Sequence, residues 1–427
     1  MLDMQRIREA TAEVKTGIAN KFVEVDIDTL IDLDQRRRDI IAEVETLKHE
    51  RNTLSKQVSQ RKRAGEAADD LISRTRSIGE RIKELDDDQR QVEEQIETAM
   101  LQIPNVPHAS VPVGKDASEN PVVKEWGVKR KADFPFRTHL ELGADLKLFD
   151  FPAGTKIAGT GFPLYTARGA RLERALINFM LDFHIEKHGY TEVLPPVVAN
   201  RRSMTTTGQL PKFEDDMYLA TVDDLFLIPT AEVPVTNIHQ DEILAEADLP
   251  IRYTAYSNCF RREAGAHGKE TRGYLRLHHF NKVELVKFVL PETSYDELES
   301  LRRDAEEILE ALGITYRVVE LVTGDLSFAA AKCYDLEIWA PGEERWLEVS
   351  SCSNFEDFQA RRGGIRFKPR QGGKTQFVHT LNGSGVATPR LLVALLETCQ
   401  QADGSVQLPE ALKPYMGSVG LHLAVEN

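Results

Sequence analysis

Arginine and glutamate stand in apolar surroundings along Cys259-Phe260-Arg261-Arg262-Glu263, and again at Arg272-Gly273, Arg276, His278-His279-Phe280 and Val283-Glu284-Leu285. Alternate side chains of a strand face one side. A strand–loop–strand reading therefore lets Arg261, Glu263 and Phe280 share a surface. There a guanidinium offers a planar fork for phosphate, and a phenyl ring offers a stacking face for a base. A carboxylate accepts from an exocyclic amine or an ammonium. Solvated Arg–Glu salt bridges give the same spacing, so the residues alone leave both readings open.

Three other segments point the same way. Thr230-Ala231-Glu232 follows the apolar run Leu225-Phe226-Leu227-Ile228-Pro229, so an acidic group closes a buried strand, as at a site mouth or a surface turn. Trp346-Leu347-Glu348-Val349-Ser350-Ser351 sets a carboxylate and hydroxyls after an apolar pair, which suits Mg²⁺ held with nucleotide phosphates. Asn382-Gly383-Ser384-Gly385 leads to Pro389-Arg390 and the helical run Leu391 to Leu396. Glycines permit close backbone approach, and an arginine at a helix start can meet an anion, or simply be an exposed helix entry. The chain has no G-x-x-x-x-G-K-[ST] loop, no G-x-G-x-x-G, no H-E-x-x-H and no G-x-S-x-G, so a bound nucleotide is not held by a P-loop or a Rossmann turn. His267, His278 and His279 invite a zinc reading, but no Cys/His spacing accompanies them and no zinc is expected.

The elements around these residues fall into two parts. A 3,4 spacing runs through Leu30, Leu33, Arg37, Ile40, Val44, Leu47, Arg51, Leu54 and Val58. A second runs through Leu71, Thr75, Ile78, Ile82, Leu85, Gln89, Val92, Ile96, Ala99 and Ile103. Each is a heptad seam. The polar stretch Ser59 to Asp70, with Gly65, separates them, and Pro104 ends the second. The spacing predicts two antiparallel helices of roughly 40–50 Å that bury only a narrow stripe and project as an arm. Around its tip Lys48, Arg51, Lys56, Arg61, Lys62 and Arg63 face only Glu50. Such a patch attracts phosphate, although a solvated coiled-coil face or a dimerisation hairpin has the same pattern. Prolines 104, 107, 112, 121 and 135 then break the periodicity. The expected organisation is an arm domain over 1–103, a linker over 104–130 and a second domain over 131–427. In the last, helical patterns alternate with β-rich runs at Leu225–Ile228, Lys282–Val289 and Tyr316–Leu321, an α+β arrangement.

The formal net charge of −14 over 427 residues excludes a uniformly basic nucleic-acid binder, though not a local basic patch. Cys259, Cys333, Cys352 and Cys399 lie far apart with no C-x-x-C, which fits a reducing cytosol rather than a disulfide framework. Met1 to Ala10 is charged and lacks a signal peptide's apolar core, and no apolar stretch reaches the ~18 residues of a membrane span; a cytoplasmic protein is expected.

Taken in order, these segments resemble the class II aminoacyl-tRNA synthetases. The helix from Arg171 followed by Gly189-Tyr190-Thr191-Glu192-Val193-Leu194-Pro195-Pro196-Val197 resembles motif one. Phe260-Arg261-Arg262-Glu263 with Arg276 to Phe280 resembles motif two, and Gly383-Ser384-Gly385 through Arg390 resembles motif three. Ile228-Pro229-Thr230-Ala231-Glu232-Val233-Pro234, Tyr334-Asp335-Leu336-Glu337-Ile338-Trp339, Glu348-Val349-Ser350-Ser351 and Thr380-Leu381-Asn382-Gly383-Ser384 are similar to the seryl branch, as is the arm in front.

The resemblance covers about residues 1 to 415. It implies an antiparallel catalytic sheet flanked by helices, a homodimer joined through motif one, and an arm that reads the long variable arm of serine tRNA held at the partner's active site. It also implies L-serine, ATP and Mg²⁺, with serine tRNA, and selenocysteine tRNA where the host has one, as acceptor. For the amino acid it implies Thr230, Ala231, Glu232, Arg261, Glu284, Asn382 and Ser384. For ATP it implies Arg261, Arg262, Glu263, Phe280, Glu348, Val349, Ser350, Ser351 and Arg390, with Arg261 and Arg390 catalytic and Glu348 and Ser351 holding the metal. Relatives that load serine onto a carrier protein share such a site but usually lack the arm, and a catalytically dead RNA-binding scaffold would show damage in motif two or three. Two departures are visible: Thr388-Pro389 stands before Arg390 where the family often has glycine, and Gly159 to Arg168 follows a less familiar pattern. The small-residue loop Ala264 to Arg272 is expected to be mobile until nucleotide or tRNA arrives.

Overall fold

The computed structural model describes residues 1–264 and 273–425, so most of the motif two loop, with His267 and Arg272, lies outside the described residues. The chain divides into one compact unit of Met1–Ala19 with Val23–Pro104 and another of Asn20–Phe22 with Asn105–Asn427.

The first unit is built on α1 (Ile27–Arg63) and α2 (Asp69–Gln102) packed along each other. At ~1.5 Å per residue they are about 55 and 51 Å long, somewhat beyond the expected length. The Asp26 side chain caps α1 by accepting from the Thr29 amide at 3.0 Å, which starts the helix ahead of the first seam leucine. Every seam position named above is buried or half-buried, whereas the intervening positions are mostly exposed. Asp28 in the first turn of α1 and Arg61, Lys62 and Arg63 in its last complement the helix dipole. A buried acid, Asp34, sits on the same helix; Arg8 Nη1 at 2.7 Å and Arg37 Nη2 at 2.6 Å pair with it. Gly65, at φ 78°, turns the chain between the helices.

The second unit is layered around an eight-stranded sheet. Its strands are β1 (Val122–Trp126), β2 (Thr191–Glu192), β3 (Ile251–Phe260), β4 (His279–Val289), β5 (Tyr316–Glu320), β6 (Lys332–Ala340), β7 (Arg345–Asn354) and β8 (His379–Ala387), in the spatial order β1-β5-β6-β7-β8-β4-β3-β2. All neighbours are antiparallel except β2 with β3. Helices α3 (Ala167–His188), α4 (Ser294–Ala311) and α5 (Thr388–Cys399) bury apolar faces on it: Leu172, Leu176 and Met180, then Leu298, Leu301 and Ile308, then Leu391 and Leu395, with Val318, Leu336 and Ile338 from the strands. The expected α+β class with a flanked antiparallel sheet is what the chain forms.

One segment departs from expectation. Val122–Trp126 lies within the stretch expected as linker, yet it forms an edge strand paired with Tyr316–Val319. Prolines hid it, because a short edge strand needs only one bonded side. The former linker is also anchored at its start, where buried Asn105 donates from Nδ2 to the carbonyls of Ala329 at 3.0 Å and Phe355 at 2.8 Å.

Candidate active site

A cavity of about 940 Å³ opens on one face of the sheet, lined by Thr230, Glu232, Arg261, Glu263, Arg276, Phe280, Lys282, Glu348, Val349, Ser350, Ser351, Asn382, Ser384 and Arg390, among others. Strand periodicity explains the first group. Phe280, Lys282 and Glu284 alternate on β4, and the Arg261 amide, just past the end of β3, donates to the His278 carbonyl at 3.0 Å. The Arg261 guanidinium lies 5.1 Å over the Phe280 ring, and its Nε donates to the Pro229 carbonyl at 3.4 Å. A phosphate fork and a base platform are thus adjacent.

Glu263 adopts φ 53°, a left-handed conformation uncommon outside glycine, and pairs with Arg276. Arg262 turns away: Nη1 donates to the Asp215 carbonyl at 3.0 Å, and the residue does not line the cavity. Ala231 is likewise packed in a neighbouring apolar cluster rather than lining the cavity.

Glu348 and Ser351 are three apart, a spacing that puts residues on opposite faces of a regular strand. A bulge restores their common side. Leu336 pairs with Ser350 but Glu337 pairs with Glu348, so Val349 is the extra residue of β7. Asp335 is opposite Ser351 in the register. Its carboxyl is held well above the usual range, chiefly by burial and then by the Glu348 charge. These are hard oxygen donors of the kind Mg²⁺ takes, one or two carboxylates at a time, with phosphates completing the shell.

A second bulge, between Ser384 and Ala387 of β8, brings the chain into α5. Gly385 is required there, since a Cβ would lie 2.5 Å from Nε2 of His184 on α3. Thr388-Pro389 proves compatible with the site. Proline is tolerated in a helix's first turn, and the Thr388 hydroxyl donates to the buried Glu173 carboxylate of α3. Arg390 is then fixed by donation from Nη1 to the Glu348 carbonyl at 2.8 Å and from Nε to the Leu275 carbonyl at 3.3 Å.

Behind the cavity wall, Glu284 is 1% exposed and does not itself line the cavity; it is held by residues that do. Its Oε2 accepts from the Thr230 hydroxyl at 3.0 Å and pairs with Lys282, and its Oε1 accepts from Asn382 Nδ2 at 3.1 Å. Lys282 Nζ also donates to Thr230 Oγ1 at 2.9 Å. Glu232 opens a short helix, and its amide donates to the Thr230 hydroxyl at 3.2 Å. Burial and the neighbouring Glu284 charge push its carboxyl up to about 7. Sequence reasoning missed Lys282, although it stands midway between two recognised positions on one strand face. It also missed Asp335, Arg276 as the partner of Glu263, and Gln359, which meets Glu232 from 127 positions away.

The histidines behave as structural groups. His278 Nδ1 lies 2.9 Å from the Arg261 carbonyl, and His279 stacks on Phe260 at 5.0 Å. Among the described residues, one cluster has metal-ligand spacing, His139 with Glu343 and Glu397, and none of the three lines the cavity. Both Glu397 oxygens are already engaged: Oε1 accepts from the His139 amide at 2.9 Å, and Oε2 from the amides of Gly342 at 2.8 Å and Glu343 at 3.1 Å. On the arm, Arg61 Nη1 pairs with Asp70 at 3.2 Å, so the acids opening α2 offset part of the tip charge, while Lys48, Lys56, Lys62 and Arg63 are exposed and Arg51 is half-buried.

Comparisons with known proteins agree with this geometry. Residues 1–107 match the seryl-tRNA synthetase N-terminal domain, and residues 212–399 match the class II tRNA synthetase core domain (G, H, P, S and T). The chain is 54% identical to a serine–tRNA ligase of Geobacter sulfurreducens over 98% of its own length and 99% of that protein's. It is 55% identical to another of Caldicellulosiruptor bescii, over 98% and 99%. Its structure superposes on a Pyrococcus horikoshii seryl-tRNA synthetase complexed with ATP at a TM-score of 0.94, with 37% identity and full coverage of both chains. A cytoplasmic serine–tRNA ligase of Naegleria fowleri in complex with AMP matches at 0.90 and 29%, over 100% of this chain and 99% of that one.

Proposed function

The chain belongs to the seryl-tRNA synthetases, a class II family, and on that premise we propose how its cavity performs the family's reaction. It activates L-serine with ATP and transfers the seryl group to tRNA. In the first step a serine carboxylate oxygen forms a bond to the α-phosphorus as the bond to the departing pyrophosphate breaks. In the second a ribose hydroxyl at the 3′ end of tRNA attacks the acyl carbon, and AMP leaves. Catalysis rests on positioning and charge neutralisation, because little of the bond-making needs a protein nucleophile.

Arg261 bridges the α-phosphate and the serine carboxylate. Phe280 stacks on one face of adenine, Arg390 lies on the other near the γ-phosphate, and Glu263 accepts from the adenine amine. Val349 and Ser350 complete that wall by their backbone. Glu348 and Ser351 would hold Mg²⁺, which supplies charge neutralisation to the phosphates. Thr230 and Glu232 meet the serine ammonium, and Glu284, with Asn382 and Ser384, reads its hydroxyl. The observation that carries this reading is one cavity lined by Arg261 and by Thr230, Lys282 and Asn382, the three side chains that engage the buried Glu284 carboxylate, which sets a phosphate fork beside a hydroxyl reader.

The unit formed by 1–103 binds serine tRNA, and selenocysteine tRNA where the host has one, through phosphates at Lys48, Arg51, Lys56, Arg61, Lys62 and Arg63. Residues 104–130 lead from it into the catalytic domain, whose sheet already takes in Val122–Trp126. The enzyme works in the cytoplasm as a homodimer; Leu194, 82% exposed within motif one, belongs to the apolar surface a partner would cover. The test has two arms. Removing residues 30–103 should leave serine-dependent pyrophosphate exchange intact and abolish seryl transfer to tRNA. Exchange without charging by the full chain would instead favour a ligase for another acceptor, and loss of exchange in Arg261→Ala is required by the role given to Arg261.

A further inference from the structure

Glu232 has one side-chain hydrogen-bond partner among the described residues, and that partner lies outside the cavity lining. Gln359 is fully buried on the short helix Phe358–Gly363. Its Nε2 donates to Glu232 Oε1 at 2.7 Å and to the Thr207 carbonyl at 3.4 Å, and its Oε1 accepts from the Thr380 hydroxyl at 2.8 Å. The amide has only this orientation open to it. Turned over, its oxygen would face a carboxylate and a carbonyl, three acceptors with no proton between them.

We propose that Gln359 is a positioning residue for the amino-acid subsite: pinned by Thr380, it holds Oε1 of Glu232 and leaves Oε2 uncommitted for the ammonium of the substrate. This deepens the reading that Glu232 meets the serine ammonium and depends on it. The groups acting on Glu232 are Glu284, which opposes its ionisation, and Gln359, Lys282 and Arg261, which favour it. Of these Gln359 alone touches the carboxylate directly. Because a cationic ammonium binds the ionised acid, KM for serine in the unaltered enzyme should fall as pH rises through about 7 and then level off.

The experiment measures pyrophosphate exchange across pH for Gln359→Leu, Gln359→Glu, Thr380→Val and, as a control, Glu232→Gln. Loss of a hydrogen bond to a charged group predicts that Gln359→Leu raises KM for serine about tenfold or more while KM for ATP stays unchanged. The pH at which KM for serine falls should move upward, since the carboxylate has lost a donor. Gln359→Glu, which sets a second acid against the first, should move it further in the same direction. Thr380→Val, which removes the donor that pins the amide oxygen, should produce a smaller shift of the same sign and keeps the question open to measurement if either Gln359 variant fails to fold. Parallel increases in KM for serine and ATP, or an unmoved pH midpoint, would overturn the proposal. If Glu232→Gln leaves KM for serine unchanged, the assignment of Glu232 itself fails; if that control raises it and the Gln359 variants do not, only the role of Gln359 fails.

Discussion

The most exposed consequence of the architecture concerns Glu173, a carboxyl that takes no part in binding. It sits on α3 at 4% exposure. Oε1 accepts from Asn281 Nδ2 at 2.7 Å and from the Thr388 hydroxyl, whereas Oε2 is buried and has no partner among the described residues. Its charge acts on the buried phenols of Tyr165 and Tyr274 and opposes their ionisation. Burial drives its pKa from an ordinary 4.5 up to about 7, against the two donors that lower it. The sign follows directly. Below 4.5 the acid is neutral whether the chain is folded or not. Between 4.5 and 7 the unfolded chain releases the proton and the folded one keeps it, so stability falls as pH rises; above 7 the loss is constant. Raising the pKa from 4.5 to about 7 corresponds to ~3 kcal/mol, at ~1.36 kcal/mol for each tenfold change in acid strength. Glu173→Gln retains an acceptor for Asn281 and Thr388 and cannot ionise. It should match the parent near pH 4.5 and exceed it above pH 7, by about 6 °C in melting temperature at roughly 2 °C per kcal/mol for a large domain. Thermal unfolding by circular dichroism at pH 5, 6, 7 and 8.5 reads this. A difference between variant and parent that stays the same at every pH would refute the reasoning, because it would mean the carboxyl releases its proton alike in the folded and unfolded chain.

Two further expectations concern the cavity and its surroundings. Glu284→Ala should cut kcat/KM for serine at least 100-fold while leaving alanine nearly unchanged, because a site that hydrogen-bonds a hydroxyl discriminates by leaving its own group unpaired; exchange assays with both amino acids check it, and an unchanged serine-to-alanine ratio removes Glu284 as the hydroxyl reader. Gly161→Ala should place a Cβ 2.4 Å from the His278 ring at φ +82°, destabilise by about 1–3 kcal/mol, and raise KM for ATP, since His278 contacts the Arg261 carbonyl; a variant with unaltered melting temperature and KM would show that this contact does not hold the motif two stem.

Much of this protein was legible residue by residue. The arm followed from two heptad seams and a break, because a narrow apolar stripe dictates a two-helix hairpin whatever else the chain does. The period of a strand let Arg261, Glu263 and Phe280 share a surface, and the same period continued from Phe280 would have given Lys282. The edge strand at Val122–Trp126 was hidden by Pro121 in front of it and the other prolines of that stretch. Asp34 reads as one more exposed acid until Arg8 and Arg37 close on it.

The sequence by itself determined which chemistry the molecule could hold: arginine forks, a stacking ring, paired acids and a small-residue turn, in an order that identifies their common purpose. Tertiary structure decided which of them meet. A β-bulge at Val349 turned Glu348 and Ser351 to the same side against strand parity, and Arg262, next to Arg261, was directed to Asp215 instead. Gln359 reached Glu232, and Glu173 reached Thr388, across stretches of chain that share no local pattern. Local pattern records the preferences of neighbours, whereas register, bulges and buried hydrogen bonds are settled only when distant segments pack and every buried polar group must find a partner.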